Sequence, residues 1–152
     1  MKIISILTSL FLFFNPQQAP LPPHKVSQEL TARITYYEPC AQWGNQVACP
    51  KTPRAQKGIT VAAHPDFKFG TKIYIEQLDG VLGDGYFIVQ DRGPAVTKKT
   101  ASRGRNYVFD VFVHSREDIK RLQKLGDYMQ VEIIEELNYN KSNDKDSNRK
   151  RR

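Results

Sequence analysis

A mainly β fold, a small six-stranded barrel with one short helix, is predicted for this 152-residue chain. Three observations predict it. Six short runs rich in β-branched and aromatic residues recur between turn-forming residues. Only one stretch has helical spacing with a cap in front of it. The folded part, residues 30–137, spans about 108 positions, and that many strands in so short a chain avoid exposed edges best by closing on themselves.

The elements follow in order. Residues 32–37, Ala32-Arg33-Ile34-Thr35-Tyr36-Tyr37, alternate and form the first strand. A loop holding both cysteines comes next and ends in Pro50-Lys51-Thr52-Pro53-Arg54. Residues 59–63 are the second strand, stopped by His64-Pro65, and residues 72–76 the third. The stretch 78–85 carries Asp79-Gly80 and Asp84-Gly85, both turn dipeptides. Residues 86–90 and 107–113 are the fourth and fifth strands. Ser115 is an N-cap with Asp118 three positions on, a near capping box. Ile119, Leu122 and Leu125 then recur at helical spacing, and Gly126 ends the helix. Residues 128–134 are the sixth strand.

The ends read differently. Met1-Lys2, an apolar run over 3–14 and a polar stretch to 19 have the layout of a secretory signal peptide, 1–19. The run is short of the ~20 apolar residues that span a bilayer; an uncleaved anchor is the alternative. Residues 20–29, with Pro20, Pro22 and Pro23, read as a linker. Residues 138–152 lack apolar periodicity and form a disordered basic tail.

The formal net charge is +7. On a cytosolic chain that would point first to nucleic acid; on an exported one it points to anionic wall polymers or membrane surfaces. The expectation is a secreted, periplasmic or wall-associated monomer with no nucleic-acid partner. Its tail either makes salt-screened contact with anionic polymers or is merely solvated. Cys40 and Cys49 are the only cysteines, and in an oxidising compartment an even pair in one loop predicts a disulfide. His24, His64 and His114 are too scattered to complete a zinc site, and neither metal nor cofactor is expected.

Two carboxylates stand out. Asp91 ends the apolar run after Phe87 and Val89, and Asp110 sits between Val108 and Phe112. Alternation puts each on an apolar face. Burial raises a carboxyl pKa, and a second carboxylate raises it further. A carboxylic acid still protonated near neutral pH is what protonating a glycosidic oxygen requires. The alternative is that each caps a turn or pairs with a neighbour such as Arg92. His64 either assists proton transfer or is structural. Tyr36, Tyr37 and Trp43 are either sugar-stacking surfaces or core.

Residues 59–76 (ITVAAHPDFKFGTKIYIE), 85–96 (GYFIVQDRGPAV) and 109–113 (FDVFV) resemble two related groups of double-psi β-barrels. One is the rare lipoprotein A family, with an Ala-Ala-His, a Phe-Gly-Thr and an Asp-Arg-Gly-Pro. The other is the 3D domain of membrane-bound lytic transglycosylase A and stationary-phase survival proteins, similar also over 32–39, 72–76 and 114–133. The resemblance runs through about residues 32–134. It implies a double-psi barrel that cleaves peptidoglycan between N-acetylmuramic acid and N-acetylglucosamine, leaving a 1,6-anhydro product. By position it makes Asp110 the acid/base and gives Asp91 a supporting role; His64, Tyr36, Tyr37, Trp43 and Arg92 are candidate glycan-binding residues from their types and places in the chain, outside what the resemblance implies. The chain departs from the 3D pattern at His64-Pro65, where that pattern has an aspartate before the proline. It departs from rare lipoprotein A at Pro53-Arg54, where that family has a glutamate. It also inserts cations at 97–106 (TKKTASRGRN) between the two aspartates, which either bind peptide carboxylates or block sugar entry. The second functional reading is a non-catalytic, expansin-like barrel that binds or loosens wall polysaccharide.

Overall fold

The structure, a computed structural model, describes residues 25–42, 44–52 and 54–134. The expected signal peptide, the basic tail and Trp43 lie outside the described residues. Six strands form a closed barrel: β1 (Val26–Tyr37), β2 (Thr60–Ala62), β3 (Lys72–Asp79), β4 (Asp84–Asp91), β5 (Val108–Phe112) and β6 (Tyr128–Ile134), in the spatial order β1-β5-β2-β4-β3-β6. β6 closes the ring by pairing antiparallel with β1. The pairs β1/β5 and β2/β4 are parallel, the others antiparallel.

Alternation decides what fills the barrel. Phe109, Val111 and Val113 from β5 and its end meet Phe87 and Val89 from β4 inside, all fully buried. A smaller apolar cluster, Ala62, Val96 and Val108 with Tyr37 and Ala101 against it, lies on the other side of the wall. Residues 94–102 cover that side with a single helical turn, α1 (Pro94–Thr97), and a 3-10 turn (Thr100–Ser102). Pro94 suits the start of α1 because its ring presets a helical φ.

The strands lie close to their expected positions, with two differences. β1 begins at Val26, so residues 26–29 of the expected linker are strand. Their side chains are mostly exposed; what holds them is the backbone ladder to β6, from Val26 opposite Ile134 to Arg33 opposite Tyr128. β3 and β4 also run further than expected and meet in a tight hairpin, Asp79 opposite Asp84. Gly85 makes that possible. Its φ is +74°, and a Cβ there would sit 2.7 Å from a Tyr74 ring carbon. Gly80, at φ +68°, has nothing within 4 Å of such a Cβ.

Gly80→Ala therefore incurs only the left-handed backbone cost, about 1 kcal/mol. Gly85→Ala adds the clash and is expected to lose about 2–3 kcal/mol in urea denaturation. Equal losses in the two variants would show that the Tyr74 ring gives way.

The helix forms where its cap predicts it. α2 (Arg116–Leu122) starts at Ser115, whose Oγ accepts a hydrogen bond from the Asp118 amide at 3.2 Å. It tightens into a 3-10 turn (Gln123–Leu125) and stops at Gly126, φ 107°. Leu122 is buried and Ile119 packs on the core, but Leu125 is exposed, so the apolar stripe is one residue shorter than its spacing suggests.

Candidate functional site

Because Phe109, Val111 and Val113 point inward, Val108, Asp110 and Phe112 point out of the barrel. On β1 the same logic sends Ile34 in and Thr35 and Tyr37 out. Asp110 lies opposite Thr35 on β1 and opposite Ala62 on β2. Simple alternation along β4 would turn Asp91 inward with Phe87 and Val89. A β-bulge prevents this: Val61 pairs with Val89, yet Ala62 pairs with Asp91, leaving Gln90 as the extra residue. Such a bulge re-aims the side chain that follows it. Asp91, Ala62, Asp110 and Thr35 thus stand in one row across β4, β2, β5 and β1. Two strand spacings place the aspartate Cα atoms about 10 Å apart, with only a methyl group between them.

The two carboxylates have different surroundings. Asp110 is pushed up to about 6, chiefly by burial, with a smaller push from the Asp91 charge and an opposing hydrogen bond from Thr35. Thr35 Oγ1 donates to Asp110 Oδ1 at 2.8 Å, and Oδ2 takes no hydrogen bond from the described residues. Asp91 is held from three sides. Its Oδ1 accepts from the amides of Ala48 (2.9 Å) and Arg92 (2.8 Å), and its Oδ2 accepts from the Tyr37 hydroxyl (2.9 Å). Tyr37 is pushed well above the usual tyrosine range by burial first and the Asp91 charge next. It packs edge-on against Phe112, ring centroids 5.3 Å apart. One carboxyl is therefore primed to hold a proton, and its neighbour is fixed in place.

The other expected site residues divide. Tyr36 faces the core, and its hydroxyl has no partner among the described residues; burial raises it to about 12. Its ring is partly buried against the core. Tyr37 does reach the site, as Asp91's hydrogen-bond donor. Arg92 does not pair with the Asp91 carboxylate: its guanidinium donates to the backbone carbonyls of Asp91 (2.9 Å) and Phe67 (2.6 Å) and lies over the Phe69 ring. Its role is to brace the turn after β4. His64 belongs to a separate cluster, its Nδ1 3.1 Å from Asp66 Oδ2 and its ring against Tyr107. Among the described residues it bonds neither aspartate.

The expected disulfide is not formed; Cys40 and Cys49 are free thiols. Each is held by its own backbone bonds. Cys40 closes a small turn with Gly44 at the surface, and the Cys49 amide bonds to Gln90 O at 3.0 Å, which docks it on β4. The Cys49 thiol is lowered from its ordinary value, first by the Lys51 amide. It lines a cavity of about 410 Å³ between residues 49–52 and Phe69, Ile88 and Gln90. That cavity opens one residue along β4 from Asp91, and neither aspartate lines it.

Thr35 and Ala48 were not foreseen as site residues. Thr35 shares a face with Tyr37 by alternation, but only the parallel pairing of β1 with β5 sets it against Asp110. Ala48 contributes a main-chain N–H, which carries no signature in its residue type.

Residues 97–106 are ordered by Ser102, which is buried: its hydroxyl donates to the Asn106 carbonyl at 2.5 Å, lies 3.1 Å from the Lys99 carbonyl, and accepts from the Asn106 amide. Lys99 (φ 51°) and Arg103 (φ 54°) both adopt the left-handed conformation, a cost of about 1–2 kcal/mol each that these bonds offset. No protein-family model matches the chain, and no curated protein matches it.

Proposed function

We propose that the chain is an exported, wall-associated lytic transglycosylase. It cleaves the bond between N-acetylmuramic acid and N-acetylglucosamine in peptidoglycan and leaves a 1,6-anhydro end. The observation that carries the reading is Asp110 itself. Its carboxyl faces outward, is pushed up to about 6 by burial, and keeps one oxygen without a described partner. An acid of that strength is protonated often enough near neutral pH to donate, and weak enough as a conjugate base to recover the proton.

The chemistry needs little more. Asp110 gives its proton to the glycosidic oxygen as the bond to the anomeric carbon breaks. The resulting carboxylate takes the proton of the muramoyl 6-hydroxyl, whose oxygen closes onto the same carbon. Because that nucleophile is part of the substrate, no second catalytic carboxylate and no positioned water are required. Asp91, fixed by Tyr37, Ala48 and Arg92, supplies a negative charge across the row while positive charge develops on the sugar.

Incubating the mature protein with purified peptidoglycan and reading the products by mass spectrometry tests this. New 1,6-anhydro ends are the expected result. Reducing ends would mean hydrolysis instead. Binding with no new ends would replace catalysis with the expansin-like binding barrel.

A further inference from the structure

Arg33 precedes Thr35 by two residues on β1 and shares its outward face, which sets their Cα atoms about 7 Å apart. Its Nη1 donates to Ala101 O at 2.7 Å and its Nη2 to Asp127 Oδ2 at 3.0 Å, so the guanidinium is pinned between the inserted segment and the turn before β6. Arg103 and Arg105 border the same polar concavity, about 170 Å³, with Ala101, Ser102 and Tyr128. Neither arginine has a hydrogen bond or ion pair from its side chain among the described residues. Lys99 is drawn away, its ammonium 3.7 Å from the centroid of the Tyr107 ring. Three arginines thus line one space, and Asp127 is the carboxylate bonded to one of them, Arg33. The backbone beneath them is rigid, because the Ser102 hydroxyl ties Lys99 to Asn106, and the Gly104 amide returns to Lys99 O at 3.0 Å. A guanidinium fork matches the paired oxygens of a carboxylate or phosphate, and two forks without partners on a held backbone are available for one.

We propose that this concavity is an oxyanion site, taking a carboxylate or phosphate carried by the glycan whose bond reaches Asp110. The link to Asp110 rests on the function proposed above; the oxyanion site itself does not. It makes the substrate an acidic glycan with its charged group within about one strand pleat of Thr35, Asp110's partner. The inserted cations, on this account, receive a substituent of the polymer and do not block it.

The test is titration of the full chain at low salt with N-acetylmuramic acid, glycerol phosphate and neutral N-acetylglucosamine, following the amide resonances of residues 101–105. One or both acids should shift these resonances, and the tighter of the two identifies the source of the oxyanion. Arg103→Gln/Arg105→Gln should weaken that binding about tenfold or more. Lys120→Gln/Lys124→Gln removes the same charge from exposed positions on and after α2 and should leave binding unchanged. The proposal is overturned if neither acid binds, if the neutral sugar binds as well as the acids, or if both double variants weaken binding equally. The readout needs no cleavage. A wild-type protein that makes no anhydro ends but binds an acid at 101–105 would remove the transglycosylase reading and leave the oxyanion site standing.

Discussion

Asp110→Asn is expected to cut the formation of 1,6-anhydro ends by about 10²-fold or more while leaving the barrel folded. Asparagine keeps the shape and still accepts from Thr35 Oγ1, but it can neither donate nor recover a proton. Asp91→Asn should lose less, since the role proposed for Asp91 is one of position and charge. The wild-type pH profile carries the same signature. In the proposed reaction Asp110 starts protonated, so kcat/KM should level off below about pH 6 and fall about tenfold per pH unit above it. A rate that rises above pH 6 would mean that Asp110 begins as a base, and the assignment would be lost.

The second large effect is on stability, and its sign follows from the same carboxyl. Its pKa is 3.8 in an unperturbed chain and about 6 in the fold. Below about pH 4 both folded and unfolded chains hold the proton, and the protonated group's contribution to stability is fully present. As pH rises through 6, the unfolded chain ionises freely while the folded one must ionise a buried carboxyl. That window removes on the order of 2–3 kcal/mol. Asp110→Asn has nothing to ionise there. It should match wild type near pH 4 and exceed it by about 2–3 kcal/mol near pH 8, in urea denaturation at the two pH values. An identical pH dependence in both proteins would show that Asp110 is not the group held protonated.

Half of the site was legible before the fold was known. Asp110 lies between Val108 and Phe112 in a run that alternates without interruption, so its face and its desolvation follow from local geometry. Asp91 follows the same rule along the chain and breaks it in the fold. Counting from Phe87 and Val89 turns it inward, whereas the extra residue at Gln90 turns it out beside Ala62. A bulge belongs to the pairing of two strands, and β2 and β4 are separated by the whole of β3. The tyrosines are a milder case. Adjacent residues in a strand must face opposite ways, so one of Tyr36 and Tyr37 had to enter the core. Which one depends on where β5 and β6 lie.

Strand positions and the helix cap come from interactions between neighbours in the chain. Alternation, turn dipeptides and the Ser115–Asp118 cap act over a few residues, and a single sequence records them in full. The first part of β1 left no such record. Residues 26–29 are mostly exposed, and their stabilising partners are the backbone groups of β6, which any residue types could supply. The cysteines show the same limit from the other side. Two thiols in one loop predict a bond, but the docking of Cys49 on Gln90 and the separate turn at Cys40 and Gly44 hold them as free thiols. The row of Asp91, Ala62, Asp110 and Thr35 gathers one residue from each of four strands far apart in sequence. Its existence was decided by barrel closure and register, because only the pairing of distant strands brings those four side chains onto one surface.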